Sequence, residues 1–190
     1  MGATGWQYTV PYQADVEKML ANLHIQEFEG GRYQHPGAPD FELLEEMDFF
    51  EVDEDEREEM IAQYGLTLIK PLLDEVGIDN LRGAIADLAQ RPLTSLKDLQ
   101  ILRCFSFDGT GSILDIDNIA PESIGYGLYP LPKEKITTLL GTAEPTLEAV
   151  EIFDFDDGPD RLYERNEGFY IVTYRDGQPD KIYIQGCSGD

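Results

Sequence analysis

The chain has 190 residues, 42% of them apolar, and carries 14 basic against 38 acidic side chains for a net charge of −24. That length suits one domain, or one domain with a substantial insertion, and at this size folding buries roughly 70% of the surface an open chain exposes. So negative a field repels phosphate backbones and anionic lipids, which argues against direct nucleic-acid binding and favours a basic protein as partner. No stretch reaches the ~20 apolar residues of a membrane span. The opening MGATGWQYTVPY has neither the basic start nor the apolar run of a secretory leader. Cys104 and Cys187 are too few for a disulfide framework, so free thiols in the cytoplasm are expected.

In chain order, WQYTVPY predicts a short β segment that Pro11 ends or confines to a sheet edge. ADVEKMLANLHIQEFEGG predicts a helix: Val16, Met19, Leu20 and Leu23 recur at helical spacing, Asp15 and Glu17 sit near its positive end, and Gly30-Gly31 stops it. RYQHPGAPD is a loop punctuated by Pro36, Gly37 and Pro39. Acids then crowd together up to Glu59, and Arg57 is the only base among them. Leu43, Leu44, Met47, Phe49 and Phe50 predict a short helix and a break, and DEREEMIAQYG a second helix. LTLIKPLLDEVG and DNLRGAIADLAQ are helical in pattern, with Pro71 bending or ending one segment. TSLKDLQILRCF begins at a Thr94 or Ser95 cap and sets Leu96, Leu99 and Leu102 on one face.

The second half changes character. SILDI reads as a strand, which would put Asp115 and Asp117 on one face. LPKEKITTLLG is a short helix with Pro132 at its start and Gly141 at its stop, and EPTLEAVEIF starts another. GFYIVTYRDGQPDKIYIQG carries two β-branched and aromatic runs around Asp176-Gly177, which is hairpin chemistry. Pro179 then either lengthens the turn or places its strand at an edge. The expected fold is α+β: a mainly antiparallel sheet with helices on one face, and an acidic helical insertion at 40–90.

Reactive groupings are scarce. Gly109 and Gly111 precede an apolar run rather than a helix, and no Lys follows, so a phosphate loop is not expected. Asp154, Asp156, Asp157 and Asp160 miss the calcium-loop register, with Gly158 at the fifth position counted from Asp154. His24 lies near a helical apolar stripe and His35 precedes a proline; neither sits in a GxSxG, HExxH or CxxC context. No metal and no cofactor is expected. The acidic stretch offers an anionic surface with apolar anchors, and the residues proposed to meet a basic partner are Glu45, Glu46, Asp48, Phe49, Phe50, Glu51, Asp53, Glu54 and Asp55. An amphipathic helix with its apolar face inward is the alternative. An enzymatic alternative uses Asp115, Asp117 or Cys104 in a hydrolase-like site, and a third makes the chain a structural subunit of a larger assembly.

Several of these stretches together resemble a family of small bacterial proteins. The opening through EGGRY resembles that family's Trp, Val-Pro-Tyr, helix and Gly-x-Tyr succession; GTGSILDIDNI resembles its Gly-Thr-His-Ser-Ile-Leu-Asp strand; LLGTAEPT and the closing YRDGQPDKIYIQGCSGD resemble later elements. The resemblance covers about residues 1–35 and 92–190, with the acidic stretch peculiar to this chain. Gly111 stands where the family pattern has His. The resemblance implies an immunity or accessory factor of bacterial conflict systems, and no enzymatic role carried by that position.

Overall fold

Two compact units emerge from the chain in a computed structural model that describes residues 3–46, 48–63, 66–106, 109–155 and 162–189. One unit combines Met1–Tyr33 with Thr110–Asp190; the other is Gln34–Gly109. The helical segment expected at 40–90 therefore reaches from 34 to 109 and takes in one more helix.

The first unit is built on a four-stranded sheet of order β1-β4-β3-β2, with β1 at Ala3–Pro11, β2 at Gly127–Pro130, β3 at Glu167–Arg175 and β4 at Gln178–Gly189. β1 and β3 flank β4 antiparallel, and β2 joins β3 in parallel. The β3–β4 hairpin closes on a two-residue turn: Asp176 and Gly177 have φ of 53° and 74°, and Arg175 pairs with Gln178. Both central residues at positive φ match the right-handed twist of the strands, which is why Asp-Gly serves here. Pro179 neither lengthens this turn nor marks an edge, since β4 is central. It sits at a bulge instead. Thr173 pairs with Lys181 but Tyr174 with Pro179, leaving one extra residue on β4. The Tyr174 N–H donates outside the β3–β4 ladder, to the Pro145 carbonyl at 2.8 Å.

Side chains on β4 alternate between two apolar layers. Ile182 and Ile184 join Trp6, Met19, Leu20, Leu23 and Leu128, whereas Tyr183 and Cys187 join Tyr129, Ile136, Val150, Phe169 and Ile171. Helix α1 (Val16–Gly30) supplies the first layer, and the second comes from α7 (Lys133–Leu140) and α8 (Leu147–Ile152). The α+β class holds, but helices cover both faces rather than one. The uninterrupted apolar character of YIVTY and IYI has this cause. Helix starts follow the capping rules: Asp15 Oδ1 accepts from Lys18 N–H at 2.9 Å, and Thr146 Oγ1 from Ala149 N–H at 3.3 Å. Each such cap contributes about 1 kcal/mol.

SILDI does not form a strand. Gly111 takes φ of 66°, Ser112 Oγ accepts from Leu114 N–H at 3.2 Å, and Ile113–Asp115 closes a 3₁₀ turn. Ile113, Leu114 and Ile116 are all buried, so the apolar run satisfies a crowded core position rather than a ladder.

The second unit is helical: α2 (Glu42–Glu46), α3 (Glu54–Gln63), α4 (Lys70–Val76), α5 (Ile78–Gln90) and α6 (Leu96–Arg103). Pro71 lies in the first turn of α4, so it begins that helix instead of ending one. Ser95, not Thr94, caps α6, accepting from Asp98 N–H at 3.1 Å. Phe49, Ile61, Ile69, Leu81, Ile85, Leu88, Ile101, Leu102 and Phe105 form a core of the unit's own. Its apolar stripes bury one another. No described helix is long and apolar enough to cross a membrane.

Candidate functional site

The acidic stretch owes its shape to one backbone turn. After α2, Asp48 adopts φ of 53°, its N–H donates to the Glu45 carbonyl at 3.0 Å, and the Phe49 N–H donates to the Leu44 carbonyl at 2.9 Å. The turn swings Phe49 inward to complete burial. Phe50 is half-buried, edge-on to Phe49 at 5.6 Å, and roofed by the Arg82 guanidinium 4.0 Å from its ring centroid. Phe49 is thus a core residue and not a partner anchor, and Phe50 is covered from within the unit. An apolar stripe on an acidic helix has the same pattern whether it faces a partner or a core, so spacing could not separate the two. Met47 lies outside the described residues, as does the Leu43 side chain.

Glu45, Glu46, Asp48, Glu51, Asp53, Glu54 and Asp55 are all exposed. Asp53 Oδ1 accepts from Glu56 N–H at 3.0 Å and starts α3, whose first turn holds Glu54, Asp55 and Glu56, where the helix dipole favours negative charge. Arg57, the one base in the stretch, turns inward. Its Nε donates to the Phe49 carbonyl at 3.0 Å, its Nη2 donates to the Val52 carbonyl, and its guanidinium lies 5.8 Å from the Phe49 ring centroid. Glu45 pairs with Arg82 at 2.7 Å and Glu58 with Lys70. Glu46, Glu51, Asp55, Glu56 and Glu59 have no ion-pair partner among the described residues.

Beside this surface, α3, α4 and the start of α5 enclose an open cleft of about 360 Å³. Ile61, Leu73 and Ile78 line its apolar part; Glu54, Glu58, Asp74, Arg57 and Lys70 supply charge. The Lys70 ammonium spans Glu58 and Asp74, the latter at 3.7 Å, and the hydrogen bond to Glu58 holds its pKa above the usual lysine value. Three acids face two bases there, and among the described residues the lining holds no His, Cys or Ser.

Asp115 and Asp117 do not share a face. Both Asp115 carboxylate oxygens accept from the Thr110 N–H, at 2.8 and 2.9 Å, and the residue is 7% exposed. Asp117 is exposed. Because a 3₁₀ turn replaces the strand, a spacing of two puts one side chain in and the other out. Cys104 belongs to the helical unit, where its thiol donates to the Gln100 carbonyl at 3.3 Å. The imidazole Nε2–H of His24, buried, donates to the Ile113 carbonyl at 3.1 Å, so that ring ties α1 to the 3₁₀ turn. His35 Nδ1 lies 2.6 Å from the Pro36 carbonyl. Of the Asp154–Asp160 run, residues 156 to 160 lie outside the described residues. Among the described residues no three His, Cys, Asp or Glu side chains gather to hold a metal ion.

Two buried carboxylates escaped the sequence reading. Glu167, fully buried, accepts at Oε1 from Ser123 Oγ, Ile124 N–H and Gly125 N–H at 2.8, 3.0 and 3.0 Å, and at Oε2 from Glu164 N–H at 3.0 Å. It pins a loop on which Ile124 and Tyr126 stand 46% and 57% exposed. A lone acid at the start of a strand carries no pattern that would reveal this. Glu27, 1% exposed, pairs with Arg32 at 2.7 Å beside Tyr8. Burial raises the Tyr8 hydroxyl pKa above its ordinary value and the Glu27 charge adds to the rise, while an N–H from Ile113 at 3.4 Å works against it. Here a signal existed: Glu27 continues the spacing of Leu20, Leu23 and His24.

No family model, curated protein or solved structure matches this chain.

Proposed function

We propose that this protein is a non-enzymatic acidic binding factor, of the inhibitor or immunity kind, whose 34–109 unit occludes a basic protein partner. One observation carries the reading: the single base of the acidic stretch, Arg57, is engaged by the Phe49 and Val52 carbonyls, while Glu46, Glu51, Asp55 and Glu59 face solvent with no ion-pair partner among the described residues. Charge of one sign concentrated on a folded surface raises the encounter rate with an oppositely charged protein and rejects acidic ones. The contact set is Glu45, Glu46, Asp48, Glu51, Asp53, Glu54 and Asp55; Phe49 has no part in it. The resemblance to small bacterial proteins adds the inhibitor or immunity sense by association alone.

The experiment is an affinity capture from the native host with the full chain as bait, at low and at high salt, beside a bait carrying Glu46→Lys, Glu51→Lys and Asp55→Lys. A stoichiometric basic partner that high salt releases and the reversed bait fails to hold supports the proposal. Absence of a stoichiometric partner at either salt, or equal capture by both baits, refutes it.

A further inference from the structure

We infer that the open edge of β1 pairs antiparallel with the same edge of a second copy of this chain, joining two four-stranded sheets into one. The sheet order leaves β1 and β2 outermost. The β2 edge is already occupied: Ala120 N–H donates to the Leu128 carbonyl at 2.8 Å and Leu128 N–H to the Asn118 carbonyl at 2.9 Å. Among the described residues that leaves the outer edge of β1 at Gly5, Gln7 and Thr9.

Which groups line that edge follows from a single bond. The Tyr12 N–H donates to the Asp180 carbonyl of β4 at 3.0 Å. Antiparallel strands alternate strictly along their length, and the β1–β4 register runs unbroken from Ala3 to Pro11. Even-numbered residues of β1 therefore bond to β4, and Gly5, Gln7 and Thr9 turn both N–H and C=O outward. Pro11 agrees with this parity, since its missing donor faces the edge and not the ladder. Gly5, Gln7 and Thr9 are also exposed.

Exposed strand edges are ordinarily blunted by a charge, a proline, a bulge or brevity. Of these β1 has only a proline, at its last residue, Pro11. It is nine residues long, its register carries no shift, and no charged side chain lies between Ala3 and Pro11 in a chain of net charge −24. This charge-free strip is where a second copy meets no like charge at the contact. A two-fold axis at Gln7 sets Gln7 opposite its own counterpart and Gly5 opposite Thr9, each pair exchanging two main-chain hydrogen bonds. It also sets Trp6 and Tyr8 at the intervening non-hydrogen-bonded positions. The Ala3 N–H then meets the Pro11 carbonyl, so proline's lost donor costs the pairing little. The result is a closed, isologous dimer.

Sedimentation equilibrium of the full chain over a wide dilution series tests this. The expected mass climbs toward twice the 21.4 kDa of one chain. Gln7→Lys and Thr9→Pro are expected to hold the mass at that of one chain, with unchanged circular dichroism. Lysine at position 7 makes the chain less negative overall, so loss of association there reports the edge and not general repulsion. Should Thr9→Pro fail to fold, Gln7→Lys carries the comparison alone. A single-chain mass at every concentration overturns the inference, as does a dimer that survives Gln7→Lys. A β1 edge found occupied only by a strand from another protein overturns it as well.

Discussion

The indole of Trp6 lies against Gly186 so closely that a Cβ there would stand 2.3 Å from Trp6 Cη2 and 2.6 Å from the Glu167 carbonyl oxygen. Gly168, on the adjacent strand, meets the same ring edge, with a virtual Cβ 2.6 Å from Cη2. Two paired glycines on neighbouring strands thus make the trough in which the chain's one tryptophan rests.

Gly186→Ala is therefore expected to destabilise the sheet unit by about 3 kcal/mol, at the upper end of overpacking costs, because backbone on one side and a rigid ring on the other both refuse to move. Urea unfolding followed by the fluorescence of Trp6 measures it. A loss no larger than that of an exposed substitution such as Thr138→Ala would contradict the tight approach.

Glu167 is the second testable element. Glu167→Gln replaces one accepting oxygen by an amino group facing the donors of Ser123, Ile124 and Gly125 or of Glu164. Leaving such buried donors unmatched costs about 2 kcal/mol. Amide hydrogen exchange gives the local readout: the Ile124 and Gly125 amides are expected to exchange faster in the variant, ahead of any change in the β3–β4 ladder.

Alkaline pH tests the burial of Tyr129. Burial, reinforced by the Glu167 charge and partly offset by a hydrogen bond with Ser123, pushes its hydroxyl up to about 12 from 10.0. Because the folded value lies above the unfolded one, the unfolded chain gives up the proton first as pH rises. The Tyr129 contribution is complete below pH 10.0 and is lost between there and about 12. Urea midpoints across that window should fall in the wild type and fall less steeply in Tyr129→Phe, which also loses the hydroxyl's bond to the Leu162 carbonyl.

Much of this architecture was readable before any coordinates. Asp15, Thr146 and Gly141 mark helix ends by local chemistry, and Asp176-Gly177 dictates its turn, so those elements lie where the sequence predicts them. SILDI reads as a strand because an apolar run with no polar alternation suits any fully buried segment; what decides is the positive φ of Gly111 and the Ser112 cap. The two-sided covering of the sheet hid for a similar reason, since β4 shows which face is buried only when one is not. The acids of residues 45–55 were identifiable as a surface because charge seldom goes inside unpaired. Phe49 and Phe50 were not separable into core and anchor, because the Asp48 turn that buries Phe49 leaves no mark in spacing. Glu27 could have been found on its helical stripe; Glu167 depends on contacts more than forty positions away in sequence and could not.

Whether the carboxylates around Arg57 draw in a basic partner is measured by association kinetics. The purified captured partner is mixed with the wild-type chain and with a variant carrying Glu46→Gln, Glu51→Gln and Asp55→Gln, at two salt concentrations. The expected association rate falls steeply with salt and is reduced about tenfold or more at low salt in the variant. Association indifferent to salt, and equal for both chains, would contradict it.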